Sequence, residues 1–326
     1  MKTSKNSIGF LMLSFIFLFW GVINPVQAQQ KILLQRVREA TDNHSSTNRI
    51  TVYYNQPYEK KALELRTMLE DAVVYFDGNL KVKMDFTLAV LDEPQWNRVA
   101  ATMQRRDVYF LEMYSPSGLE PYEQPYGIPM SSTPPYIIFL PATADNIPTK
   151  NILSAKPNVS QSLIKEIEST GFTYEEAAER MPDLIGFHEI GHQYSDSYGI
   201  HATNQWLREF LASYFAYAFL AKKYPKIARP YVALHETLIA GAKPKHTSLE
   251  DFNNLSTSVG AQNYGWYQAQ LLRMVTRVYK KKGLSFVVEM KKAFPISEKE
   301  AIDMESGLKR LEKIYPGFIK WSKNLK

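Results

Sequence analysis

The sequence predicts an α+β chain, with its strands in the first half and helices filling the second. Three observations carry this. Short β-branched or apolar runs bounded by turn residues, at 49–54, 82–90, 108–113 and 136–140, all precede residue 161. Beyond that point apolar residues recur at helical spacing. The composition, 45% hydrophobic and 22% charged over 326 residues, is that of a folded chain with a core large enough to need no covalent staple.

Residues 1–28 read as a secretory leader. Lys2 and Lys5 precede a 16-residue apolar run from Ile8 to Ile23, and Val26-Gln27-Ala28 offers small residues at the two positions that specify cleavage before Gln29. The run is short for a membrane span, which needs about 20 residues. With no cysteine in the chain there is no lipid attachment point, so the expected product is exported, periplasmic or secreted, with no stable membrane anchor. Residues 29–48 are polar and read as a loosely held arm.

The strand at 49–54 alternates and is β-branched. A helix follows over 58–76, where Ala62, Leu65, Met68, Leu69, Ala72, Val73 and Phe76 repeat at helical spacing, and Asp77-Gly78-Asn79 reads as the turn that ends it. Residues 114–135 hold six prolines and three tyrosines and read as a long surface loop. The strand at 136–140 is kept short by Pro134-Pro135 and Pro141. A short helix is expected over 161–168. Thr173-Tyr174-Glu175-Glu176 is a capping box opening another. Pro182 punctuates it, and a helix over 183–197 stops near Gly199. Helices are also expected over 204–224, 261–282 and 299–313. The implied organisation is a leader (1–28), a sheet-containing part (29–160) and a helical part (161–326), with 29–326 forming one catalytic unit.

Composition narrows function. The formal charge of +6 is mild, and the longest basic block is Lys280-Lys281-Lys282, so no nucleic-acid partner is expected. Without cysteine there is no thiolate metal site and no cysteine nucleophile. Any metal must be held by His, Asp or Glu.

The informative segment is Phe187-His188-Glu189-Ile190-Gly191-His192. Four residues of helix turn about 400°, so the two imidazoles share one face, one turn apart. That spacing suits two ligands of a single Zn²⁺ ion, one per chain, with Glu189 beside them as general base toward water. A catalytic zinc site needs a third protein ligand. Glu209 stands in the otherwise apolar run around Trp206, Leu207, Phe210 and Leu211, where a carboxylate is costly unless it is paired or metal-bound. An ion pair with Arg208 is the bland account of the same residue. Asp196 and His201 are the rivals: Asp196 reaches back poorly from the same helix, and His201 lies in the loop after Gly199. A metzincin would place Gly and His where Ser195 and Tyr198 stand, so that arrangement is excluded.

His188-Glu-Ile-Gly-His192 followed by Trp206-Leu-Arg-Glu209-Phe-Leu-Ala-Ser-Tyr214 resembles the gluzincin metallopeptidases of the MA clan. The likeness is strongest to the helix pair of M1-type aminopeptidases, and the sheet-then-helices layout is thermolysin-like. The resemblance implies a zinc-dependent peptidase acting on a peptide or protein substrate, with His188, His192 and Glu209 as ligands and Glu189 as catalytic base. It also implies a downstream Tyr or His that stabilises the tetrahedral intermediate. The segment Asn263-Tyr264-Gly265-Trp266-Tyr267-Gln268 offers Tyr264, with Tyr267 as the alternative. The pattern departs from the family at Arg208 (usually Asn), at Ser213 (an Asp in thermolysin-type members), and at Gly127-Ile-Pro-Met130, which echoes the exopeptidase G-x-M-E-N signature without its Glu. Those departures keep two other readings open: a zincin-fold binding or scaffold module, and a zinc hydrolase of a non-peptide bond. The aromatic stripe Tyr214, Phe215, Tyr217, Phe219 reads as core. Lys309, Arg310, Lys313, Lys320, Lys323 and Lys326 read as a solvated face.

Overall fold

A computed structural model describes residues 25–100, 128–129, 136–298 and 300–325. The expected strand at 108–113, most of the proline-rich loop, the first 24 residues of the expected leader and Lys326 lie outside them.

The architecture is α+β with a helical C-terminal half. Strands β1 (Asn43–Ser46), β2 (Ile50–Tyr54), β3 (Phe86–Leu91), β4 (Ile128–Pro129) and β5 (Tyr136–Pro141) form one mixed sheet in the order β1-β2-β3-β5-β4. The three inner strands are parallel and the two edge strands antiparallel to their neighbours. Every residue of β3 is buried, which is why FTLAVL is apolar at every position but Thr87 instead of alternating. On one face Leu88, Val90, Ile138 and Leu140 join the main core. On the other, Tyr53, Ala89, Leu91, Ile137 and Phe139 form a second cluster with residues of α1 (Pro25–Ala40) and α3 (Glu93–Ala100).

That second cluster corrects the reading of 29–48 as a loose arm. Leu33, Val37 and Ala40 of α1 sit at helical spacing and are buried against the sheet. The stripe is three residues wide in a mostly polar segment, and it becomes recognisable only once a sheet face needs covering.

Helix α2 (Glu59–Leu80) buries the predicted stripe but runs past Asp77-Gly78-Asn79. It ends instead at Lys81, which is left-handed (φ 58°) and gives its N–H to the Asp77 carbonyl. The Asp77 side chain serves the tertiary fold, accepting from the Tyr194 hydroxyl at 2.7 Å and pairing with Arg49 at 2.7 Å. It therefore ties α2 to the helix carrying both histidines.

The second half contains α4 (Ile147–Ala155), α5 (Gln161–Glu168), α6 (Tyr174–Tyr198), α7 (Gln205–Lys223), α8 (Pro225–Ala240), α9 (Leu249–Leu255), α10 (Ala261–Lys282), α11 (Ser285–Ala293), α12 (Met304–Ile314) and α13 (Phe318–Lys323). Pro182 does not divide α6, which is continuous for 25 residues from its Thr173–Glu176 capping box to the left-handed Gly199. A proline removes one helical donor and leaves the carbonyl four residues earlier without its usual partner. Here that carbonyl is Ala178, and the Thr149 hydroxyl of α4 reaches it at 3.4 Å. The aromatic stripe of α7 is core, as expected: Tyr214, Phe215 and Phe219 are fully buried. Arg310 departs from the solvated-face reading. It makes a two-pronged pair with Glu298 and donates to the Ala293 carbonyl, tying α12 to the segment after α11. Among the described residues, no helix is long and apolar enough to cross a membrane.

Candidate metal centre

Helices α6 and α7 build the site between them. Gly191, between the two histidines, lies against the backbone of α7 at Ala212. A Cβ there would lie 2.6 Å from the Ala212 carbonyl oxygen and 2.9 Å from its Cα. Only a hydrogen fits, so the glycine sets the separation across which Glu209 meets the imidazoles.

At that separation one ligand atom each from His188, His192 and Glu209 lies within 4.8 Å of the others. His188 Nε2 is 3.0 Å from Glu209 Oε2, and His192 Nε2 is 3.6 Å from Glu209 Oε1. The rings stand nearly perpendicular, with centroids 4.8 Å apart. Glu209 is anchored further by the amides of Gln205 (2.9 Å to Oε1) and Gln268 (2.7 Å to Oε2). Arg208 is exposed and is not the partner of Glu209.

His188 is oriented through its other nitrogen, with Nδ1 3.1 Å from the Ser213 hydroxyl. Ser213 is one helical turn after Glu209. The sequence marks that position only as a departure from the gluzincin pattern; its meeting with His188 comes from the packing of the two helices.

Charge at the centre follows from burial. Desolvation pushes the His192 imidazole below its ordinary value, with Glu209 pulling the other way, so the ring is neutral at pH 7. For Glu209 desolvation acts upward, but the two imidazoles and the Gln268 amide outweigh it and hold the carboxyl below the usual range. Glu189 is the opposite case. Desolvation first, then the Glu209 charge, push its carboxyl well above the usual range. Its Oε2 is buried with no hydrogen-bond partner among the described residues.

Two Nε2 atoms converging on one carboxylate, beside a second carboxyl without a partner, are a donor set that could hold a metal ion. The side chains fit a cation of the nitrogen-and-oxygen-binding type.

A cavity of about 530 Å³ opens beside Glu189 and His188. Tyr264, Gly265 and Gln268 of α10 line it, as do Tyr231 and His235 of α8. Tyr267 does not. Its ring stacks on Phe252 with centroids 4.5 Å apart, and its hydroxyl donates to the Ser248 carbonyl at 2.7 Å. Of the two phenols offered by the sequence, Tyr264 alone is placed beside the centre. His201 is elsewhere, its ring at the Glu300 carbonyl (3.3 Å), and Asp196 lies in the field of Arg208; neither joins the three-donor group. Gln205, Gln268, Tyr231 and His235 were not singled out from the sequence. Gln268 stands one turn after Tyr264 on the same helix, and Tyr231 and His235 have the same four-residue spacing as His188 and His192.

No family model matches the chain, and neither the curated proteins nor the solved structures give a significant match.

Proposed function

We propose that the protein is an exported zinc metallopeptidase of gluzincin type. The observation that carries this is the meeting of His188, His192 and Glu209 from two helices beside a buried, unpartnered Glu189 at the wall of a cavity. Held by those three residues, zinc supplies the Lewis acidity that makes water acidic enough to attack a carbonyl at neutral pH. Glu189 takes the proton that water sheds as its oxygen bonds the peptide carbon. It passes that proton to the leaving nitrogen as the C–N bond breaks, so one water is consumed and a carboxylic acid and an amine result. A carboxyl whose pKa burial has raised is suited to that second duty. Ser213 and Gln268 keep His188 and Glu209 aimed, and Tyr264, which lines the same cavity, would be the donor to the developing oxyanion.

Elemental analysis of the mature chain tests the metal directly: one zinc per chain is expected, and none in His188→Ala. That variant should keep its far-UV circular dichroism, because the apolar core is extensive without the site. A wild type that neither carries zinc nor takes it up on titration would overturn the proposal.

Ser213→Ala should weaken zinc affinity by about 10–100-fold, the usual cost of losing a group that orients a ligand histidine. Competition with a chelator of known affinity measures it, and an unchanged affinity would remove Ser213 from the account.

A further inference from the structure

Helix α8 places a second pair of polar rings in the same cavity. Tyr231 and His235 are four residues apart, so they share one face, with ring centroids 4.6 Å apart. Both are more than nine-tenths buried, and both line the cavity next to Glu189 and His188. Neither belongs to the three-donor group.

Their hydrogen-bonding roles are fixed by what they touch. His235 Nδ1 lies 2.8 Å from the Tyr231 carbonyl oxygen, which can only accept, so Nδ1 carries the proton. Burial pushes the ring down to about 4, so it is neutral and Nε2 is a bare acceptor. That Nε2 has no partner among the described residues, and neither has the Tyr231 hydroxyl. Burial, and then the nearby Glu189, keep that phenol protonated. The cavity wall thus offers one donor and one acceptor side by side.

An extended peptide presents the complement. The N–H and C=O of a single residue in a strand point to the same side, as in the paired positions of an antiparallel ladder. We propose that Tyr231 and His235 hold one residue of an extended substrate by its main chain, the Tyr231 hydroxyl donating to the C=O and His235 Nε2 accepting from the N–H. The inference rests on the hydrolytic reading of this cavity and adds a specificity to it. At the residue held there, proline and N-methylated residues are disfavoured, whatever side chain they carry.

The test measures binding apart from turnover. Zinc-loaded Glu189→Gln chain is titrated calorimetrically with casein-derived peptides and with the same peptides N-methylated one residue at a time. At one position N-methylation should weaken binding about tenfold, the loss of one good hydrogen bond. Adding His235→Leu should abolish that position's penalty. Adding Tyr231→Phe, which keeps the ring and its packing, should weaken every peptide by about fivefold and leave the penalty in place. Zinc content and melting temperature should be unchanged in the Tyr231→Phe variant. An N-methyl penalty of the same size with and without His235, or a Tyr231→Phe chain that binds like its parent, overturns the proposal. If His235→Leu fails to fold, the Tyr231→Phe result decides. Hydrolysis by wild type without any N-methyl sensitivity overturns the clamp and spares the peptidase reading. Peptide binding that depends on His235 in a chain that never hydrolyses supports the clamp and counts against the peptidase reading. Absence of any peptide binding overturns both.

Discussion

Replacing Glu189 with Gln should leave zinc bound and reduce peptide hydrolysis by about 10²–10⁴-fold, the range that a positioned general base contributes. The three donor atoms are untouched by this change, and glutamine keeps the shape of the side chain while losing the basic oxygen. The same substitution should stabilise the metal-free chain, and the sign follows from burial. The folded-state pKa of Glu189 lies well above its unfolded value near 4.5. Below the unfolded value the carboxyl is protonated in both states and costs nothing extra. As pH rises from there toward the folded value, the unfolded chain releases a proton that the folded chain retains, and stability falls by about 1.4 kcal/mol per pH unit. The glutamine of the variant has no such proton to lose. The melting temperature of metal-free Glu189→Gln should therefore exceed that of wild type at pH 8 by more than at pH 5. Zinc should narrow the gap, because a cation beside the carboxylate lowers its pKa. Thermal melts at the two pH values, with and without zinc, measure this. A gap independent of pH would mean that Glu189 is not a buried neutral acid, and unimpaired hydrolysis would mean another base.

Gly191→Ala is expected to destabilise the fold and weaken the metal site together. In a helix interior alanine is intrinsically better than glycine by about 1 kcal/mol. Here its Cβ would sit 2.6 Å from a backbone oxygen and 2.9 Å from a backbone Cα of Ala212, neither of which can rotate away. Relief requires α6 and α7 to move apart, at a cost of about 1–3 kcal/mol for overpacking. Glu209 is three residues before Ala212 and should move with it, away from both imidazoles. Zinc affinity should fall at least tenfold and the melting temperature by several degrees. Gly78→Ala is the contrast. That glycine is inside α2, and a Cβ added to it would meet nothing within 4 Å, so alanine should stabilise by about 0.5–1 kcal/mol. A chain with Gly191→Ala that melts and binds zinc like wild type would remove the close approach as the feature that sets the site.

Much of the candidate metal centre was legible because its signal is local. Two histidines four apart need only a helix to share a face, and the 183–197 segment was expected to be one; that this helix begins back at the Thr173–Glu176 box, across Pro182, came from the fold. Glu209 was legible for a different reason, as a carboxylate stranded in an apolar run; the structure buries it with four polar neighbours instead of the Arg208 partner that adjacency suggested. The segment Asp77-Gly78-Asn79 shows where local rules stop. Its composition is that of a turn, but Asp77 is drawn into Tyr194 and Arg49, and the helix continues to Leu80. Pro182 shows the same from the other side, since a threonine from another helix reaches the carbonyl that proline leaves bare.

By itself the sequence determined the α+β layout, the helix pair and the four residues His188, Glu189, His192 and Glu209, because periodicity and i, i+4 spacing are properties of one segment at a time. Tertiary structure alone decided which partners complete them. Ser213 orients His188, Gln205 and Gln268 anchor Glu209, Tyr264 stands at the cavity while Tyr267 is turned to Ser248, and Tyr231 and His235 line the cavity beside Glu189 from α8. A hydroxyl, an amide or a phenol is chemically ordinary wherever it stands in a chain. It gains a role only from the side chain that packing brings within about 3 Å of it, across separations of up to about 60 residues that no local pattern spans.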